Sequence, residues 1–591
     1  MKFHLILCLV ISVMFNLKAE SMFHSFKLYP SISDRAFWDP IAVQQNKKQM
    51  VDKIFEEARK AQSMPIPECR ASVFMEFYRN GNRSNYEEQY FKRRHNLLVL
   101  TLAEVLENKG NYLDDCIDYI HAILCEHTWS LPGHCAHKDP LPFADREEID
   151  LFSAQTSNQL AQVLMLMEDR LTAVSPQLVK RMKLLIFERA ILPVEEDLER
   201  YWWTRLTSNW NVWICSNLLW TANTMLQDDP ARFSAYAEKL IQITNLYYQH
   251  YSNDGGCIEG ANYWTVSPVC YFLFNEALYR ASDGKYNKFT EEKFRRMCEF
   301  IVYPSYAPNS YVIFSDGTPR LTVGYGILAL MAERYPDSIL NEILADTAND
   351  KPNQEYGGLE TILGLIENKS TVPGEKRDYM QVYPDLQQVF ARSGRYFIAA
   401  KAGHNQEGDR HNHFDVGQFV FAIDGKLAAL DLGTDTYTKD TFNENRYRND
   451  ILNSNGHNPL RFNGIGQKYG HQYAAKNFRC EGDAGNLKIS MDLTDCYEEA
   501  AQLLSYTRTI TFDGTKLQIC DEYSTKEPVI AEMTIFSEIE NPQITSNHKQ
   551  ERSVTTFTDP KLIDSWGKSV TRIDIRTEEK STSGVVEVTL Q

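Results

Sequence analysis

Residues 408–433, GDRHNHFDVGQFVFAIDGKLAALDLG, place His411 and His413 two apart, Asp415 just beyond them, and Asp431 behind an Asp-Gly turn. Side chains two apart in extended chain point the same way, so the two imidazoles can meet one ion or one substrate. The return strand of the hairpin then carries Asp431 back beside them. His457, in SNGHNPLRFNG, offers a third imidazole from a loop. Together His413, Asp431 and His457 suit zinc, which takes imidazole nitrogen and carboxylate oxygen at about 2.0 to 2.2 Å. Spacing alone leaves the cluster open between a metal site and surface histidines.

Two kinds of element must hold such a site. From about residue 40 to 370 apolar residues recur at helical spacing, as in Leu160, Val163, Leu164, Met167 and Leu171, or Phe233, Tyr236, Leu240, Ile243 and Tyr247. The punctuation SPQL, QDDPAR, SNDGG and YAPNS predicts consecutive antiparallel helices joined by short loops. Beyond about residue 370 the segments YFIAAKAG, QFVFAIDGKLAALDLG, NLKISMDL and YTRTITFDGTKLQICDEYS alternate and are rich in β-branched residues, which predicts strands. Asp424-Gly425 and Asp513-Gly514 predict tight hairpins. The expected order is a leader over residues 1–19, a helical domain over 20–372 and an antiparallel β-sandwich over 373–591.

Composition narrows the class. With 43% hydrophobic and 12% aromatic residues the chain is globular. A formal net charge of −17 disfavours nucleic-acid or anionic-membrane binding, and an anionic substrate would need a locally basic cleft. MKFH, the apolar run LILCLVISVMF and Leu17-Lys18-Ala19 predict an export signal cleaved near Ala19, hence a periplasmic or secreted protein. No later apolar run reaches the length of about 18 residues that membrane insertion needs. The cysteines form no CxxC pair, which argues against a cysteine zinc site; Cys125 with Cys135 or Cys116 is the candidate disulfide.

The order HNHFDVGQFVFAIDGKLAALDLG, then YRNDILNSNGHNPLRFNGIGQ, resembles the C-terminal domain of the heparinase II/III-like polysaccharide lyases. The resemblance implies an exported α/α toroid, an incomplete helical barrel, followed by an antiparallel β-sandwich. It implies His411 as a catalytic histidine and His413, Asp431 and His457 as ligands of a zinc ion that is chiefly structural. NDGGCIEGANYW resembles the family's glycine-rich segment ending in EGxxY, which makes Tyr263 the catalytic tyrosine, and SNWNVWICSN makes Asn209 the group that meets a uronate carboxylate. Some relatives carry histidine after this asparagine where Trp210 stands here, which puts action on both uronate epimers in doubt.

The chemistry implied is β-elimination from an anionic, uronate-containing polysaccharide, a glycosaminoglycan such as heparan sulfate, chondroitin or hyaluronan ahead of alginate. Donors such as Asn209 and His411 would neutralise the carboxylate as the proton beside it is removed, and a tyrosine of lowered pKa would take that proton. Trp210, Arg205, Arg410, Arg448, His134 and Glu259 are the expected substrate contacts. Two alternatives stay open: a hydrolase using two carboxylates such as Glu259 and Asp254, and a glycan-binding protein without turnover.

Overall fold

The computed structural model describes residues 21–591 apart from 136–138, 145, 348–350, 368–375, 406–410, 439, 442 and 444. The expected leader, the domain boundary at 372/373 and Arg410 therefore lie outside the described residues.

The first half is an α/α toroid in which helices of two kinds alternate along the chain. Lys48–Gln62 buries only Met50, Val51, Ile54, Ala58 and Ala61, one stripe at helical spacing, and so forms part of an outer layer. Ser84–Glu107, Leu151–Val174, Asn209–Met225 and Pro268–Ala281 bury residues on every side and form the inner layer. The loop between Leu151–Val174 and Pro176–Ile186 is a single residue. Ser175 ends one helix and caps the next, and Pro176 occupies the position where no amide hydrogen is needed. Among the described residues, no helix is long and apolar enough to cross a membrane.

The second half is antiparallel sheet. A five-stranded sheet runs in the order Tyr379–Tyr383, Gln388–Ser393, Tyr396–Lys401, Phe419–Ile423 and Lys426–Ala429. Both faces of its inner strands, Gln388–Ser393, Tyr396–Lys401 and Phe419–Ile423, are buried. In register across it, Phe390, Ala399 and Val420 pack into the core shared with the helical half, while Ala391, Ile398, Phe421 and Ala429 face the core of the β-sandwich. Strand periodicity of two thus makes this sheet the common wall of the two domains, and it explains why YFIAAKA and FVFAI read as continuous apolar runs. A six-stranded sheet and a four-stranded sheet complete the sandwich.

Asp424 and Gly425 both have positive φ, 50° and 74°, as the expected two-residue hairpin requires. Asp513-Gly514 departs from expectation. Strand Leu503–Phe512 ends at Phe512 and its partner Leu517–Val529 starts at Leu517, because the Asp513 carboxylate accepts from the Thr515 and Lys516 amides and holds a four-residue loop. All eleven cysteines of the described chain are free thiols. The Cys125–Cys135 or Cys125–Cys116 bridge is not formed, since Cys116 is buried against Thr101 whereas Cys125 is exposed beside His121.

Candidate active site and metal centre

Three segments converge where the toroid meets the shared sheet. Helix Gly260–Val266 brings Tyr263, the first turn of Asn209–Met225 brings Asn209, and the loop between Lys401 and Phe419 brings His411 and His413. The histidines lie in loop rather than strand. This loop is braced from behind: Lys401 Nζ bonds both oxygens of Asp415 at 2.7 and 2.8 Å and the Phe314 carbonyl at 2.9 Å. Phe414 stacks on Tyr447 with ring centroids 3.9 Å apart.

Tyr263 Oη lies 3.1 Å from His411 Nδ1 and 3.3 Å from Tyr437 Oη. Asp316 joins the whole cluster. Its Oδ2 lies 3.1 Å from His411 Nδ1, its Oδ1 lies 2.9 Å from His413 Nε2, and Arg446 Nη2 donates to the same Oδ1 at 2.6 Å. Burial alone would raise the Asp316 pKa, but the hydrogen bonds from His411 and His413 and the Arg446 charge hold it well below the usual carboxylate range. An ionised Asp316 fixes the hydrogen of His411 on Nδ1, so that N–H also faces the Tyr263 oxygen. The tyrosine of lowered pKa expected from the chemistry is not what the structure shows. Burial pushes Tyr263 above its ordinary value, the Glu259 and Asp316 carboxylates add to that, and only the Tyr437 hydroxyl and the Arg446 charge oppose it.

Behind His411, a second group forms from His413, Asp431 and His457, all buried, with one ligand atom from each lying within 4.8 Å of the others. His413 Nδ1 and His457 Nε2 are buried with no hydrogen-bond partner among the described residues. Orphaned ring nitrogens beside a buried carboxylate are costly unless a cation uses them. The donor set matches zinc chemistry, so these residues can hold a metal ion. The other nitrogen of His413 is fixed by Asp316, and Asp431 Oδ1 is fixed by the Gly433 amide at 2.9 Å. His457 is held through its neighbour: Asn458 bonds the Phe419 amide and carbonyl, and the fully buried Arg508 donates to the Asn458 carbonyl while pairing with Asp521.

The remaining expected residues separate into three sets. Asn209 Nδ2 meets Glu259 Oε2 at 3.4 Å, and Glu259 and His411 line one small cavity of about 120 Å³ at the domain junction. Trp210 lies between Trp202 and His134, at ring-centroid distances of 4.6 and 4.8 Å, and His134 is pinned by Asp150 at 2.8 Å. Arg205 is not gathered into the site. It hydrogen-bonds the Glu199 carbonyl and lines a separate acidic pocket with Glu195, Glu196 and Lys239, because its short helix Trp202–Arg205 turns it outward. Arg448 is exposed, and it is Arg446, two residues earlier on the same turn, that enters the cluster. Asp254, half of the carboxylate pair open to a hydrolase, is committed to the Gly256 and Asp385 amides and the Ser252 hydroxyl. Asp316 and Tyr437 escape sequence reasoning altogether, since Ser315-Asp316-Gly317 reads as a turn and nothing in TDTYTKD marks a site.

The comparisons agree with this architecture. Residues 376–563 match the model of the family described as "Heparinase II/III-like, C-terminal". A crystal structure of heparinase III superposes over 96% of this chain and 92% of its own, with a TM-score of 0.62 at 14% identity. The heparan sulfate lyase HepC from Pedobacter heparinus, as a mutant, covers 96% of this chain and 92% of its own, at 0.58 and 13% identity. The chondroitin AC lyase of Streptomyces coelicolor A3 in complex with chondroitin sulphate covers 94% and 82%, at 0.54 and 10% identity. At these identities the likeness establishes the fold, an α/α toroid followed by an antiparallel β-sandwich. No curated protein matches by sequence.

Proposed function

We propose that this chain is an exported polysaccharide lyase that cleaves a uronate-containing anionic polysaccharide by β-elimination. The observation that carries the proposal is the Tyr263 hydroxyl held between His411 Nδ1 at 3.1 Å and Tyr437 Oη at 3.3 Å, beside Asn209 and Glu259. The His411 N–H and the Tyr437 O–H aimed at one phenol oxygen favour its phenolate and oppose, without outweighing, the burial that raises the Tyr263 pKa; an incoming substrate therefore meets a strong base once that proton has left.

The phenolate oxygen of Tyr263 takes the proton from C5 of the uronate, next to the carboxylate. The released electron pair forms the C4–C5 double bond as the C4–O bond breaks, and the departing oxygen takes a proton from the Tyr263 hydroxyl. Charge that develops on the carboxylate is met by the Asn209 amide, while Asp316 holds His411 in the orientation that lets it donate. The ligand set is assigned to zinc, whose contribution when bound is to tie the loops bearing His413, Asp431 and His457 into a rigid floor. Trp210, His134 and Glu259 contact the sugar rings; glycosaminoglycans are favoured ahead of alginate. Commitment of Asp254 to backbone amides counts against the hydrolase alternative.

The test is ultraviolet absorbance of the unsaturated uronate product. Wild type should raise it on at least one of heparan sulfate, chondroitin sulfate, hyaluronan or alginate, and Tyr263→Phe should not. Reducing ends without absorbance would establish hydrolysis instead, and silence on every polymer would sink the proposal.

A further inference from the structure

Helix Pro560–Trp566 is the last helix of the chain and lies in the β-domain, far in sequence from every residue named above as reactive. It is clasped at both ends to the segment that follows Asp431. Its cap, Asp559, accepts from the Lys561 and Leu562 amides at 2.9 and 3.1 Å and from the Thr436 amide at 3.2 Å, and Trp566 Nε1 donates to the Leu432 carbonyl at 2.9 Å. This clasp holds Lys561 Nζ over the ring of Tyr437, 4.5 Å from its centroid. Among the described residues the ammonium makes no ion pair within 4.0 Å; the Asp316, Asp435 and Asp559 carboxylates attract it and the Arg446 charge opposes them. Lys561 is half-buried. The ammonium thus sits over the Tyr437 ring, in the field of three carboxylates but in contact with none of them, so its N–H donors can turn to an acidic group that arrives beside the Tyr263–Tyr437 pair.

Resting on the lyase reading, we infer that Lys561 is a substrate-binding residue, whose ammonium receives an acidic group of the glycan, carboxylate or sulfate, beside the Tyr263–Tyr437 pair. Its role is recognition rather than proton transfer, so its loss should appear in binding.

The test uses the full-length chain in a Tyr263→Phe background, which keeps the bound oligosaccharide intact, with and without Lys561→Gln. Isothermal titration with hexasaccharides of heparan sulfate, chondroitin sulfate and hyaluronan should show about tenfold weaker binding when Lys561 is lost, with Lys561→Arg retaining affinity within about threefold. Loss on sulfated and unsulfated hexasaccharides alike assigns the contact to the carboxylate; loss on the sulfated ones only assigns it to sulfate. In the otherwise wild-type enzyme, Lys561→Gln should raise KM while kcat changes by less than about threefold. Unchanged affinity, or a fall in kcat at constant KM, would overturn the inference while leaving the lyase reading in place. Absence of binding to every hexasaccharide, together with no absorbance change from wild type, would remove both.

Discussion

Asp316 is the residue on which the two halves of the site depend, since one carboxylate orients His411 toward Tyr263 and His413 toward the metal group. Asp316→Asn should therefore lower lyase turnover and metal occupancy together, each by about 10- to 100-fold, measured by product absorbance and by elemental analysis of the purified protein. Tyr263→Phe should instead abolish turnover, by at least about 10³-fold, with melting temperature and metal content unchanged. A variant that lost metal as well would assign the tyrosine a structural part. The histidines and Asp431 were legible because HxH and the hairpin place them within one short segment. Asp316 was not, because it reaches the same point from 95 residues upstream of His411 through a loop fixed by Lys401. Only the folded chain brings them together.

At the scale of elements, the starts of the inner helices are joined by aromatic contacts. Phe91 meets Phe152 at 4.9 Å, Phe152 meets Trp213 at 5.4 Å, and Trp210 meets Trp202 at 4.6 Å, with Trp202 49% exposed. Trp202→Ala should raise KM several-fold with little change in melting temperature, because its outer face is free to carry a sugar ring. Another helix start makes a prediction about pH. Glu360 is buried at the beginning of Tyr325–Arg334, where it accepts from the Gly326 and Ile327 amides, and burial pushes its pKa up to about 8 despite those bonds. The folded protein thus holds a proton that the unfolded chain releases near the ordinary glutamate value. Stability from this group is full below that value and is lost as pH rises through about 8, by at most about 5 kcal/mol. Glu360→Gln should remove the slope: it should melt slightly below wild type near pH 5 and above it near pH 9 in calorimetric scans. Helix type and the change to strands were readable from periodicity. The closure of helices into two layers was not, because it depends on which helices are buried all round, and inner and outer helices share the same apolar spacing.

For the whole molecule, the His413–Asp431–His457 group and the domain junction adjoin, because the loops that carry the group meet the toroid segment at Asp316, Phe314 and Gly317. A Cβ on Gly433, two residues after Asp431, would meet the Gly317 carbonyl at 2.7 Å, and the Thr434 amide donates to that carbonyl at 3.4 Å, so the two domains touch backbone to backbone there. Chelation should lower the melting temperature of both domains in one transition, and turnover should follow; two separated transitions, with only the later one unchanged, would show that the junction does not transmit the loss. The five-stranded sheet carries one more consequence. Its strands are written in two interleaved alphabets, since Phe390, Ala399 and Val420 answer to the helices and Ala391, Ile398 and Phe421 answer to the second sheet. Over evolutionary time neighbours along a strand should covary with different partners, so either half of this chain grafted onto a foreign counterpart would inherit every second residue wrong.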